Sequence, residues 1–257
     1  MRWYILLKTN VRKEYIELKR YLPNTIAMLL TFYFIFLAMF LGIQVIGDPG
    51  TQDVNTQYII VNYVFWFLTV MVINQIGFDI INESMRGTLE QLAMSPMGIW
   101  RIMTARLVAT TILNFIIVVI LLLMSMLTTG QWLNIDVVTI IPILVLTLFS
   151  MYGLGLIIAG ISIVLKQVQA FLQILQFILM GLTFIPLSVA PILSFFPFVK
   201  GVDLMRSVMI EGLTLSSINL GDIAILLINA IIYFTLGLAT FLCCERIAMK
   251  KGLLAQY

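Results

Sequence analysis

The 257 residues contain no histidine, so the commonest metal ligand and the commonest general base near neutral pH are both missing. What the chain does carry is a compact polar stretch, INESMRGTLEQLAMSPMGIWRIMTAR, running from Ile81 to Arg106 and holding Glu83, Arg86, Glu90, Arg101 and Arg106. Charged residues are only 11% of the chain, so this concentration is out of character with its surroundings. No nucleophile–base pair or metal-ligand cluster accompanies these charges, and catalysis is not the chemistry they suit. Three further groups stand out. Gln169, Gln173 and Gln176 recur at steps of four and three on one helix face, and Asn62, Trp66 and Thr69 form a similar track continued by Gln75, Asp79 and Asn82. Pro197, Asp203 and Arg206 fall together in a proline-broken segment. Cys243 and Cys244 are neighbours, which disfavours a bridge between them, and are expected to be plain buried thiols.

Composition fixes the solvent in which these groups sit. Hydrophobic residues reach 61%, against roughly 45–50% in a typical soluble domain. With 11% charge a soluble chain cannot cover that apolar surface, and runs of about 20 apolar residues match a hydrocarbon core roughly 30 Å thick. The expected fold is an all-α integral membrane protein, a single transmembrane domain over residues 1–257. Six transmembrane helices are predicted: Thr25–Ile46, Tyr58–Ile81, Met103–Thr128, Val138–Leu165, Val168–Ile185 and Ile223–Cys243. Basic flanks stay cytoplasmic. With these spans, thirteen of the fifteen Lys and Arg fall on one side, Lys166 and Lys251 included, and the other keeps Lys200 and Arg206 among six acids, Asp48 included. Both termini are therefore expected in the cytoplasm.

Residues 1–24 are predicted to form an interfacial amphipathic helix, because Trp3, Leu7, Val11, Tyr15, Leu18 and Leu22 recur at three- and four-residue steps while Arg12, Lys13, Lys19 and Arg20 fall elsewhere. Residues 186–215 are apolar but broken by Pro186, Pro191 and Pro197, which suits short re-entrant helices in the outer leaflet. Gly153, Gly155 and Gly160 signal close helix approach. The glutamine face of the fifth span is expected either to hydrogen-bond across a dimer seam or to line a translocation pathway, and the Asn62–Trp66–Thr69 track is read the same way. Asp79 is read as a partner for Arg101 or Arg106.

Residues 83–94 are predicted to form a short cytoplasmic helix, with Glu83, Arg86 and Glu90 on one stripe and Met85, Leu89 and Leu92 opposite. Ser95-Pro96 closes it, Ser95 capping the next helix. The pattern E-x-x-x-G-T-L-E-x-L-x-x-S-P, given by Glu83, Gly87, Thr88, Leu89, Glu90, Leu92, Ser95 and Pro96, resembles the signature loop of the ABC-2 type exporter permeases. A second pattern, Pro197, Val202-Asp203, Arg206 and Gly212, is similar to the outer loop of that family's drug- and antibiotic-export branch. The Ser-Met-Arg after Glu83 departs from the family, where more charge is expected.

The resemblance implies a permease subunit of an ATP-binding cassette exporter carrying an amphiphilic molecule such as a drug, an antibiotic or antimicrobial peptide, or a lipid-like compound. No G-x-x-x-x-G-K-[ST] occurs in the 257 residues, so ATP and Mg are assigned to a separate cytoplasmic ABC ATPase. Two ATPase copies and a second permease copy, identical or related, are implied. The 83–94 segment, Arg86 included, is then the coupling helix, and Pro197, Asp203 and Arg206 belong to an outer gate. The setting implied is a bacterial plasma membrane, with membrane lipid as a partner and no nucleic acid. Alternatives are export of a lipid-linked polysaccharide, an ion-coupled secondary transporter supported only by Asp79, and an intramembrane enzyme, which the missing histidine disfavours.

Overall fold

The computed structural model describes residues 2–46, 52–165 and 168–252. Asp48 and Lys166, used in the charge count, lie outside them. Among the described residues there are α-helices and one short 3-10 helix, with no strand. The helices are α1 Arg2–Arg20, α2 Leu22–Ile46, α3 Gln52–Met85, α4 Leu89–Ala93, α5 Ile99–Thr129, α6 Val137–Leu165, α7 Gln169–Phe184, α8 Val199–Glu211 and α9 Leu220–Lys250, with the 3-10 turn at Pro191–Phe195. An all-helical answer is what lipid demands, since each backbone N–H and C=O must find its partner within its own segment. Five helices, α2, α3, α5, α6 and α9, are long and apolar enough to cross a membrane. The predicted fifth span forms α7, whose 16 residues rise about 24 Å, short of a 30 Å core.

The longest helix, α3, is the hub, with α2, α5, α6, α7 and α8 all packed on it. An aromatic ladder seats α2: Phe32 lies 4.4 Å from Phe67, Phe36 lies 5.6 Å from Tyr63, and the Tyr63 hydroxyl donates to the Phe32 carbonyl. The far side of α2 is left uncovered by the chain, with Phe34, Leu41 and Val45 exposed.

The closest helix pair is α6 with α9. A Cβ on Gly153 would meet the Tyr233 carbonyl at 2.2 Å, and one on Gly237 would meet the Gly153 carbonyl at 2.2 Å, so the two backbones touch. Further along, Gly160 faces Phe241 and Cys244. Rising numbers on one helix thus meet rising numbers on the other, and α6 and α9 run in the same direction. Gly155 serves a different neighbour, Ile76 of α3.

The segment between α7 and α9 is clamped to the first halves of α6 and α9. Phe198 takes a left-handed backbone, φ 59°, and its N–H donates to the buried Ser150 hydroxyl at 3.0 Å. Gly201 sits against Thr147, Asn229 donates to the Ser194 carbonyl at 2.7 Å, and the Tyr233 hydroxyl reaches the Phe195 carbonyl at 3.0 Å.

The stripe on α1 is divided: Leu7, Val11 and Leu18 are half-buried on the face that also carries the buried Asn10 and half-buried Glu14, while Trp3 and Tyr15 are exposed. Burial of Asn10 is tolerable because its amide donates to the Leu6 carbonyl at 2.9 Å. The thiols differ from expectation: Cys243 is exposed and Cys244, beside Gly160 of α6, is partly exposed, and both are free.

A helical Gly→Ala change ordinarily gains about 1 kcal/mol in propensity. At Gly153 or Gly237 it must instead separate two backbones, an overpacking cost of roughly 1–3 kcal/mol or more. Gly153→Ala and Gly237→Ala are therefore expected to lower the melting temperature of the detergent-solubilised protein. Gly42→Ala, which meets nothing within 4 Å, should leave it unchanged or slightly raised.

Candidate functional site

The polar stretch folds around the start of α5. Glu83 lies on the last turn of α3, not on the short helix, because the helix breaks over Arg86-Gly87-Thr88, where Gly87 takes φ +67°. Its carboxylate turns inward. One oxygen accepts from Arg106 Nη1 at 2.9 Å, and the other accepts from the Thr88 hydroxyl. Both charged side chains are largely buried, 10% exposed for Arg106 and 16% for Glu83. A buried pair of this kind is held by geometry, since desolvation offsets much of its attraction. The predicted stripe of Glu83, Arg86 and Glu90 is thus split: Glu83 faces α5, while Arg86 and Glu90 stay exposed.

Other charges gather on Arg106 without a direct bridge. Asp79 accepts from Gln75 at 3.1 Å and lies within electrostatic reach of Arg106, as does Glu14 of α1. Burial pushes the Glu14 carboxyl above the usual carboxylate range, with Glu17 and Asp79 adding to the push and Lys13 and Arg106 opposing it. Arg101 turns away from Asp79 and lies over the Trp100 ring, 5.1 Å from its centroid.

The short helix α4 spans only Leu89–Ala93. Leu89 is fully buried and Leu92 packs against the core, while Glu90, Gln91 and Met94 face outward. Met85, placed with the inward leucines by spacing, is instead 49% exposed. Nor does Ser95 cap α5. Ser95–Gly98 forms a turn closed by Gly98 N–H to the Ser95 carbonyl at 3.0 Å, and α5 starts at Ile99 behind a left-handed Gly98. A remote electrostatic cap comes from α9, where the buried Glu245 carboxylate lies beside the Ile99 N–H. An anion at that end also complements the helix dipole. With Trp3 of α1 against Trp100 at 6.4 Å, four helices meet at the start of α5, directly behind α4.

The other candidates fall into two sets. On α7, Gln169 and Gln173 are exposed and Gln176 is half-buried, beside the uncovered Phe177. Asn62, Trp66 and Thr69 are buried inside the chain, and the Trp66 indole donates to the Gln176 carbonyl at 3.1 Å. The two tracks therefore do not form one open surface. In the proline-broken segment, Pro197 is buried ahead of the strained Phe198. Asp203 faces Arg206 at 3.6 Å and Lys200 at 3.5 Å, and Lys200 also binds Asp222 of α9 at 2.8 Å. Arg206 is only 4% exposed, and its Nε and Nη2 make no hydrogen bond. Sequence reasoning missed Lys200 and Asp222 here and Glu245 at α5. The i,i+3 step from Lys200 to Asp203 was the one local signal available.

Long apolar helices around a buried hub, with a charged junction behind one short amphipathic helix, define a multi-pass helical membrane protein. A family model for the ABC-2 family transporter protein matches residues 43–239, from the end of α2 into α9 and across both polar segments. The chain belongs to that family and is a membrane transport subunit of the ABC type. No curated relative and no solved structure matches it.

Arg106→Met should strand Glu83 in a largely buried site and destabilise the protein by roughly 3 kcal/mol. Adding Glu83→Gln should restore part of the loss, with a coupling energy of about 1 kcal/mol or more in a double-mutant cycle of melting curves. Glu245→Ala, which removes the remote cap, should cost about 1 kcal/mol by the same measurement.

Proposed function

We propose that this chain is the membrane half of an ATP-driven exporter of amphiphilic molecules, and that α4 docks into a separate cytoplasmic ATPase. The observation that carries the reading is the division of α4: Leu89 and Leu92 are held by the membrane domain, while Glu90, Gln91 and Met94 are offered outward over a rigid four-helix junction. A lever needs one face anchored and one face free. ATP and Mg bind in the ATPase, present in two copies, and the transporter is completed by a second permease chain.

Six crossings are proposed, α7 being the one that falls short in length. Because α6 and α9 run side by side in the same direction, the chain between Leu165 and Leu220 has to return from one end of the pair to the other. The longest helix in that stretch is α7, and a short span is accommodated by local thinning of the bilayer. Six crossings put both termini on one side, and the excess of Lys and Arg supports the cytoplasm as that side, in the proposed setting of a bacterial plasma membrane. The 3-10 turn and α8 then form the re-entrant outer segment, with Pro197, Asp203 and Arg206 in the outer gate.

The uncovered amides Gln169 and Gln173 support a face of α7 turned to the second permease chain or to the route between the two chains, since amides facing lipid would lack partners. A greasy route with scattered amides suits a drug, an antibiotic or antimicrobial peptide, or a lipid-like compound.

Glu90→Lys with Met94→Ser alters only the outward side of α4. This double variant is expected to keep the wild-type melting temperature while the ATPase that co-purifies with the tagged chain falls about tenfold. Full retention of the ATPase by the variant, or none with the wild type, would sink the docking role.

A further inference from the structure

A cleft of about 270 Å³ opens between α1, α5, α6 and α9, walled by Trp3, Trp100, Leu107, Val108, Phe149 and Phe234 together with Thr104 and Tyr152. It offers no accessible polar surface. The Thr104 hydroxyl is spent on the Trp100 carbonyl at 2.9 Å, and the Tyr152 hydroxyl lies beside Thr111. The volume has room for about nine waters, none of which would find the two to four polar partners a buried water needs. Hydrocarbon is the filling that suits it.

Its length points to a particular hydrocarbon. The α5 wall runs from Trp100 to Val108, eight residues or about 12 Å along the helix. Half of a 30 Å core is about 15 Å, so the cleft runs most of the depth of one leaflet. Two tryptophans frame one end, where indoles favour the boundary between lipid and water. At that end Arg101 lies over Trp100, exposed, and forms no ion pair with an acid among the described residues. The cation is therefore available to an anion from outside the chain.

We infer that this cleft binds one anionic phospholipid, its acyl chain between Phe234 and Val108 and its phosphate on Arg101. The site stands on the geometry alone; only its assignment to the cytoplasmic leaflet, where anionic lipid is concentrated, rests on the proposed topology. A lipid there fills the gap between α1 and the α6–α9 pair, immediately behind α4, and stiffens the junction at the start of α5.

The full chain, purified with whatever ATPase accompanies it, is incubated with phosphatidylglycerol or phosphatidylcholine of equal chain length and weighed by native mass spectrometry. The wild type should retain one phosphatidylglycerol in preference to phosphatidylcholine. Arg101→Gln should cut retention of phosphatidylglycerol about tenfold and leave phosphatidylcholine unchanged, Arg101→Lys should keep most of it, and Val108→Trp, which fills the cleft, should remove both. A second measurement needs no variant: phosphatidylglycerol brominated on its acyl chain should quench tryptophan fluorescence more than brominated phosphatidylcholine. Equal quenching by the two lipids, displacement of the lipid by glycerol phosphate alone, or wild-type retention in Val108→Trp would overturn the proposal. So would loss of the ATPase, with lipid retention intact, in Arg101→Gln. Failure of any ATPase to co-purify bears on the proposed function and leaves this lipid assay readable.

Discussion

The start of α5 is the point on which the rest of the structure depends. Four elements fix it by four different means: the Arg106–Glu83 ion pair to α3, the Glu245 cap from α9, the Trp3–Trp100 contact to α1, and the Ser95–Gly98 turn that leads in from α4. None of these is strong alone. A buried ion pair roughly balances its desolvation, a cap contributes about 1 kcal/mol, and an aromatic pair about the same or less. Their value lies in direction. Each constrains a different degree of freedom of one helix end, so a displacement of α4 cannot be absorbed locally and has to move α5 and α3 together.

Above this junction the molecule divides into parts of unequal stiffness. Backbone contact at Gly153 and Gly237 joins α6 and α9 into one unit, and the Phe198, Ser194 and Phe195 hydrogen bonds fasten the proline-broken segment to it. By contrast α2 rests on α3 mainly through rings along the Phe32–Tyr63 ladder, with the Tyr63 hydroxyl on the Phe32 carbonyl, and most of its surface is uncovered by the chain. Ring contacts permit sliding that touching backbones do not. Relative motion within the subunit is therefore expected at the α2–α3 and α3–α7 contacts rather than between α6 and α9.

How much of this was legible in the sequence depends on whether the deciding interaction was local. The apolar runs located the long helices. Hydropathy does not mark the C-terminal end of α3, where Asn82, Glu83 and Ser84 continue the helix to Met85 because their backbone bonds are as good as those of an apolar residue. Spacing correctly grouped Leu89 with Leu92. It did not reveal which way Glu83 points, because that is decided by Arg106, twenty-three positions later. The cap on α5 is the clearest case. Ser95 was the local candidate, yet Gly98 at φ +75° ends the turn beyond its reach, and the carboxylate arrives from Glu245 at the far end of the chain. The family motif located the region without giving its wiring.

The charged cluster on α8 gives the same physics in reverse. Lys200 satisfies itself with Asp222 at 2.8 Å, which leaves Asp203 shared and Arg206 with a 3.6 Å contact too long for a hydrogen bond. A buried guanidinium with Nε and Nη2 unmatched is poorly compensated, and a rearrangement that brought an acceptor to it would be favoured. At the α5 junction the charged groups are matched at short range and hold one arrangement. At α8 only Lys200 has a short bridge, while Asp203 and the buried Arg206 face each other at 3.6 Å and are held less firmly, between a left-handed Phe198 and a left-handed Gly212 where the backbone changes course. In the proposed exporter, that contrast makes the end that receives the push the rigid one and the end that must open the compliant one.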